Sequence, residues 1–119
     1  MVRHVVKVEI AGPLNFGSLG EAVAADLGVS REYGRDIVRS VFDSIAKAVS
    51  KGHPVAITNF GTFRPFVRAE YTARNPQSGE KILIPKRDDI GFRVSPQLRE
   101  IVRGERAATI TKKPKGRAA

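Results

Sequence analysis

Apolar residues recur along this chain with two different periods, and the change of period marks where helix gives way to strand. Over residues 16–27, Leu19, Val23 and Leu27 fall at i, i+4 and i+8 and line one face of a helix. Asn15 is placed to cap it and Gly28 to stop it. Ser18 with Glu21 offers an alternative capping box one turn later, and Gly17 and Gly20 weaken the first turn. A second helix is predicted over 31–51, with Ser30 as N-cap and Gly52 as terminator. Its apolar face is wide: Ile37, Val38, Val41, Phe42, Ile45, Ala46 and Val49, with Arg35, Arg39, Asp43, Lys47 and Ser50 largely outside it. One short helix cannot cover such a face, so contact with the first helix and with a second subunit is expected. Before both helices, Val6, Val8 and Ile10 alternate with Lys7 and Glu9, which predicts a short strand within 2–10 until Gly12-Pro13 breaks it. Residues 1–13 are read as an N-terminal extension.

After Pro54 the period falls to two. Residues 55–57 read as a short strand and Asn59-Phe60-Gly61 as a tight turn, with Gly61 expected to take the positive φ. Residues 62–71 and 81–85 read as the two sides of a long ribbon. Between them, Thr72-Ala73-Arg74-Asn75-Pro76-Gln77-Ser78-Gly79-Glu80 concentrates turn chemistry, with Gly79 free to adopt φ > 0. A solitary hairpin of this length is marginal in water, so it needs a base below and a ligand above, and its tip, Thr72 and Gln77 included, is expected to touch the partner. Pro65 lacks an N–H and belongs at an edge or bulge. Ile82 and Ile84 should share one face, and Lys81 and Leu83 the other. Asp88-Asp89 are expected to mark a bend before 90–94 returns to the base. Ser95-Pro96 starts a last helix over 96–103, with Leu98, Ile101 and Val102 inward and Gly104 at its end.

Charge sharpens the picture. The 119 residues carry a net +9, but residues 1–63 hold seven Lys/Arg against six Asp/Glu. The excess lies elsewhere. Arg64, Arg68, Arg74, Lys81, Lys86, Arg87 and Arg93 face only Glu70, Glu80, Asp88 and Asp89, and from residue 103 onward six basic residues face one Glu, Glu105. A nearly neutral base with a basic ribbon and a basic tail suggests a polyanion held by the extremities. Residues 104–119 are expected to be a basic disordered tail, with Lys112, Lys113, Lys115 and Arg117 as phosphate contacts. There is no Cys, so disulfides and thiol chemistry are excluded, and His4 and His53 are far apart in sequence. No cofactor, metal or small-molecule substrate is expected. No apolar run nears the roughly 20 residues needed to span a bilayer, and no signal-peptide core is present, so a cytoplasmic, nucleoid-associated location is expected.

The inner turn Asn59-Phe60-Gly61-Thr62-Phe63, joined at this spacing to Arg74-Asn75-Pro76-Gln77-Ser78-Gly79, resembles the bacterial HU and integration host factor family of histone-like DNA-binding proteins. The likeness covers residues 14–103 and includes Arg68-Ala69-Glu70 and Ile82. It implies an α+β fold: two N-terminal helices, a three-stranded antiparallel sheet with a long β-ribbon arm over about 64–87, and a short C-terminal helix, in an intertwined homodimer or a heterodimer with a paralogue. It implies an architectural role, binding and bending double-stranded DNA through the minor groove with low sequence specificity. Pro76 matches the position of a wedge between base pairs; an apolar, rigid residue already short of a donor strands no N–H there. Arg74 and Asn75 match groove-contacting positions, and Arg64, Arg68, Lys81, Lys86 and Arg87 would neutralise phosphates. Arg93 completes this basic set. Ala73 stands where the family commonly has Gly, and Pro96 where many relatives carry a polar or basic residue.

Three rival readings differ. A site-specific bending factor of the integration-host-factor kind shares all of these features. A basic RNA-binding protein would present stacking aromatics, whereas most Phe residues here read as core. A Mg²⁺ nuclease built on Glu70, Asp88 and Asp89 fails because adjacent acids on a strand point to opposite faces and no nucleophile–base pair accompanies them.

Overall fold

The structure, a computed structural model, describes residues 6–111. Helix α1 (Phe16–Leu27) begins with a reciprocal capping box: the Asn15 side chain accepts from the Ser18 N–H at 2.9 Å, and Ser18 Oγ accepts from the Asn15 N–H at 2.8 Å. The Asn15 cap therefore prevails over the Ser18/Glu21 alternative. Gly28 ends α1 in the left-handed region at φ 69°. Helix α2 (Arg31–Ser50) starts where Ser30 Oγ accepts from the Tyr33 N–H at 3.1 Å, and it closes one residue before its expected end, with Lys51 as C-cap.

The helices approach very closely. A Cβ on Gly34 would overlap the Gly20 carbonyl and the Ala24 side chain, and one on Gly20 would overlap Arg35. Gly20, read from sequence as a weakness of the first turn, is where α2 touches α1. Across this contact sit Ala24 and Val38, the only buried hydrophobic side chains among the described residues.

Strands β1 (Val55–Ile57), β2 (Gly61–Arg68) and β5 (Arg87–Val94) form an antiparallel sheet in the order β1-β2-β5, and β3 (Tyr71–Arg74) pairs with β4 (Lys81–Ile84) as a separate two-stranded ribbon. The ribbon is thus one hairpin interrupted at Ala69-Glu70 and at Pro85-Lys86. Pro65 lies opposite Ile90, beyond Phe63 where β1 stops pairing, so its missing N–H costs β2 no bond to β1.

Two expectations about this region are corrected. At the inner turn the positive φ belongs to Asn59, at 61°, and not to Gly61. Asn tolerates the left-handed region. Gly61 is glycine for a different reason: a Cβ there would overlap the Phe92 ring and lie 2.6 Å from the Arg93 carbonyl. Asp88-Asp89 do not mark a bend; they lie inside β5, paired with Val67 and Phe66, because the ladder with β2 runs unbroken from Val94 to Arg87.

Helix α3 (Pro96–Val102) starts as expected, Ser95 Oγ accepting from the Leu98 N–H at 3.1 Å, and stops one residue early. Two further departures concern the ends. Residues 6–10 form no strand, for alternation needs a neighbouring ladder; instead the Lys7 N–H donates to Asp26 Oδ1 at 2.8 Å beside α1, and residues 1–5 lie outside the described residues. Residues 105–111, expected to be disordered, fold back on α3: Arg106 pairs with Glu100 at 2.8 Å and the Ile110 carbonyl accepts from Asn59 at 3.2 Å.

The chain is drawn out, with a radius of gyration of 19.7 Å and a longest extent of 62 Å, where a compact domain of this length would give about 13–14 Å. The Phe63 and Phe92 rings meet with their centroids 4.7 Å apart, tilted by 41°, yet Phe92 remains 41% exposed, and Val41, Phe42 and Ile90 stay about half exposed. No helix among the described residues is long and apolar enough to cross a membrane.

Candidate nucleic-acid interface

Strand register decides which charges act together. Directly paired residues share a face of a sheet, and the face alternates along each strand. In the β2–β5 ladder, Gly61↔Val94, Phe63↔Phe92, Pro65↔Ile90 and Val67↔Asp88 form one face. Thr62↔Arg93, Arg64↔Gly91, Phe66↔Asp89 and Arg68↔Arg87 form the other. The first face is almost wholly apolar. The second collects Arg64, Arg68, Arg87 and Arg93, four of the expected DNA contacts, on one side of the sheet. In the arm, Thr72↔Leu83 and Arg74↔Lys81 share a face, and Tyr71↔Ile84 and Ala73↔Ile82 share the opposite one. Thr72, Arg74 and Lys81 thus line one side of the ribbon, and Lys86 is exposed at the junction with β5.

The arm's loop is held by its own polar groups. The Asn75 N–H donates to the Glu80 carbonyl and the Gly79 N–H to the Asn75 carbonyl, both at 2.8 Å. Asn75 Oδ1 accepts from the Gln77 N–H at 2.9 Å, Ser78 Oγ accepts from the Glu80 N–H at 3.3 Å, and Arg74 Nη1 donates to the Gly79 carbonyl at 3.1 Å. Gly79 takes the expected positive φ, 74°. Pro76 enters none of these bonds and stands exposed in the turn, so its ring is free apolar surface at the tip of the arm.

Two expected contacts carry structural duties as well. Arg74 braces the loop. Arg68 donates through Nε to Asp89 Oδ2 at 3.0 Å and lies 5.8 Å above the Phe66 ring. The Ile90 backbone N–H, donating at 2.8 Å, is the main influence holding the Asp89 carboxyl below the usual carboxylate range, and the Arg68 hydrogen bond is the next. Among the described residues, Arg64, Lys81, Lys86, Arg87 and Arg93 make no ion pair. Lys112, Lys113, Lys115 and Arg117 lie outside the described residues.

Sequence reasoning missed Asp89, an acid planted among the arginines, and Leu83, 61% exposed beside Thr72 and Lys81. The period-two pattern carried the signal for both, but only once the register was known. Asp88 and Asp89 fall on opposite faces, and no group of three or more acidic or imidazole side chains among the described residues could hold a metal ion.

Comparison with known proteins agrees with this geometry. A family model described as bacterial DNA-binding protein matches residues 15–103. The chain is 38% identical over 92 residues to the SPbeta prophage-derived DNA-binding protein HU 2 of Bacillus subtilis, covering 77% of this chain and all of that protein. It is 36% identical over 90 residues to the integration host factor subunit alpha of Paramagnetospirillum magneticum, covering 76% of this chain and 85% of that one. With DNA-binding protein HU 2 of Streptomyces coelicolor it shares 34% over 108 residues, 87% of this chain but 49% of the longer relative. Among solved structures, that of an Anabaena HU–DNA cocrystal superposes with a TM-score of 0.69 at 31% identity, covering 75% of this chain and 97% of that one.

Proposed function

The chain belongs to the bacterial DNA-binding protein family that includes HU and integration host factor, an architectural DNA-binding family, and from that premise we propose how this member grips its duplex. The arginine face of β2–β5, with Arg64, Arg68, Arg87 and Arg93, receives the phosphate backbone, while the arm enters the minor groove with Thr72, Arg74, Asn75, Gln77 and Lys81 around its loop. Lys86 neutralises phosphate at the root of the arm. Pro76 wedges into a base step and holds a kink open. One observation carries this reading: the register gathers the basic residues on one face and the loop leaves Pro76 exposed and unemployed. Family members typically pair as dimers. The half-exposed Val41, Phe42 and Phe92 are the apolar surface such a partner covers. Low sequence specificity follows from contacts made mainly to phosphate, and the work of such a protein lies with the nucleoid in the cytoplasm, without enzymatic turnover.

The test is Pro76→Ala, read by bend angle through energy transfer and by affinity for intact and nicked duplex. Unstacking a step costs a few kcal/mol, so the variant loses much of its bend and its preference for nicked DNA, while electrostatic affinity for intact duplex falls less. An unaltered bend angle rules out the wedge. The integration-host-factor relative keeps a site-specific role in view; equal affinity for unrelated duplexes at one salt concentration would exclude it.

A further inference from the structure

Residues 6–10 alternate as a strand does but have no ladder to join, and they precede the matched family region, which begins at residue 15. Over Val6-Lys7-Val8-Glu9-Ile10 the backbone is neither helix nor turn. Among the described residues its one hydrogen bond runs from the Lys7 N–H to Asp26 Oδ1 at 2.8 Å. Val6 and Ile10 stand 60% and 51% exposed, and among the described residues neither Lys7 nor Glu9 joins an ion pair.

That single bond decides which edge of the segment is free. In extended chain the N–H and C=O groups of successive residues point to opposite edges. Lys7 turns its N–H to α1, so Glu9 shares that edge, and Val6, Val8 and Ile10 present theirs on the other. Asp26 lies two residues beyond Ala24, about 200° further round the helix, whereas Ala24 is packed against Gly34 of α2. The segment therefore runs along the side of α1 turned away from α2, and from the Val41 and Phe42 surface that α2 carries.

The pattern is its own complement. Laid antiparallel against a second copy about a two-fold axis at Val8, Val8 meets Val8, Val6 meets Ile10, and Lys7 meets Glu9 on each side of the axis. The apolar pairs are those whose amides face outward, so hydrogen bonding and charge select the same register. Lys7 and Glu9 fall at the non-hydrogen-bonded pairs, where Cα atoms are about 4.5 Å apart and side chains are closest. A shift by two residues either way would set Lys7 against Lys7 or Glu9 against Glu9, which is destabilising.

We propose that residues 6–10 form an antiparallel two-stranded ladder with residues 6–10 of a second copy, centred on Val8, and so join one dimer of the family kind to another. The surface is separate from Val41, Phe42 and Phe92, and the pairing does not depend on how the arm holds DNA. A contact this small is weak and reversible.

Sedimentation of the full-length protein at roughly 100 μM, a concentration suited to a weak contact, should show four-copy species exchanging with two-copy ones. Lys7→Glu sets acid against acid at both charged pairs, and Glu9→Lys sets base against base. Each should weaken the doubling by about tenfold or more. Mixed in equal amounts, the two variants should double again, because each supplies the charge the other lacks, and the double variant Lys7→Glu, Glu9→Lys should behave as the wild type. Val8→Pro removes the central N–H and should abolish doubling while leaving the two-copy species. Doubling that survives Val8→Pro puts the contact elsewhere and overturns the pairing. Single variants that neither mixing nor the second substitution rescues would give the segment a different neighbour strand, and overturn it equally. Two-copy species that never double overturn it with the family dimer intact; single chains alone would overturn that dimer as well.

Discussion

Asp89 is where the proposed phosphate-binding face works against itself. It pairs with Phe66 on the arginine side of the sheet and holds the Arg68 Nε–H, so its carboxylate offsets part of the charge that Arg68 would present to a phosphate. Asp89→Asn should therefore tighten binding to duplex and steepen the salt dependence by about one phosphate contact, a change of about 0.9 in the logarithmic slope; an unchanged slope would mean that Arg68 never reaches the DNA. The pair is also resistant to acid. A carboxyl whose folded-state pKa lies below its unfolded value contributes stability that is complete above the unfolded value and is lost as pH falls through the folded one. For Asp89 that loss lies below the ordinary 3.8. Titrated by NMR in Arg68→Ala, Asp89 should stay below the ordinary value, because the Ile90 N–H is the larger cause; full return to 3.8 would reverse that ranking. Gly34 offers a test of packing. Gly34→Ala should destabilise by about 1–3 kcal/mol through overpacking against Gly20 and Ala24, despite alanine's better helix propensity, and denaturant midpoints would register it.

The elements differ in how far the sequence exposes them. Helices α1, α2 and α3 were legible to within a residue because each starts at a side-chain cap, Asn15, Ser30 or Ser95, and caps are local chemistry. The arm and its loop were legible for the same reason: Asn75, Ser78 and Gly79 hold bonds within six residues. What stayed hidden depends on contacts distant along the chain. Gly61 and Asn59 could not be told apart as the left-handed residue without knowing that Phe92 packs over Gly61. The fate of residues 105–111 rested on Asn59, 51 positions from Ile110, and the break at Ala69-Glu70 had no turn signature. That break splits the ribbon into two sheets. Amides of β3 and β4 should exchange with solvent faster than those of β2 and β5, since an isolated two-stranded hairpin is marginal, and duplex DNA should slow them. Uniform protection along the ribbon would show that the break leaves the arm as firm as the base.

At the scale of the whole molecule, the drawn-out shape and the half-exposed Val41, Phe42, Ile90 and Phe92 fit the dimers typical of the family, in which a second subunit would finish the apolar core. Thermal stability should then rise with protein concentration, by about 3–6 °C per tenfold for a dimer of this size. A melting temperature independent of concentration from nanomolar to micromolar would argue for a monomer that stands alone. With so little side-chain burial of its own, an unpaired copy is a ready substrate for cellular proteases. Below the dissociation constant, paired molecules grow with the square of the number of chains, so halving synthesis would leave about a quarter of the working protein. Gene dosage and the timing of translation would thus set the supply of DNA-binding dimers more steeply than they set the supply of chain.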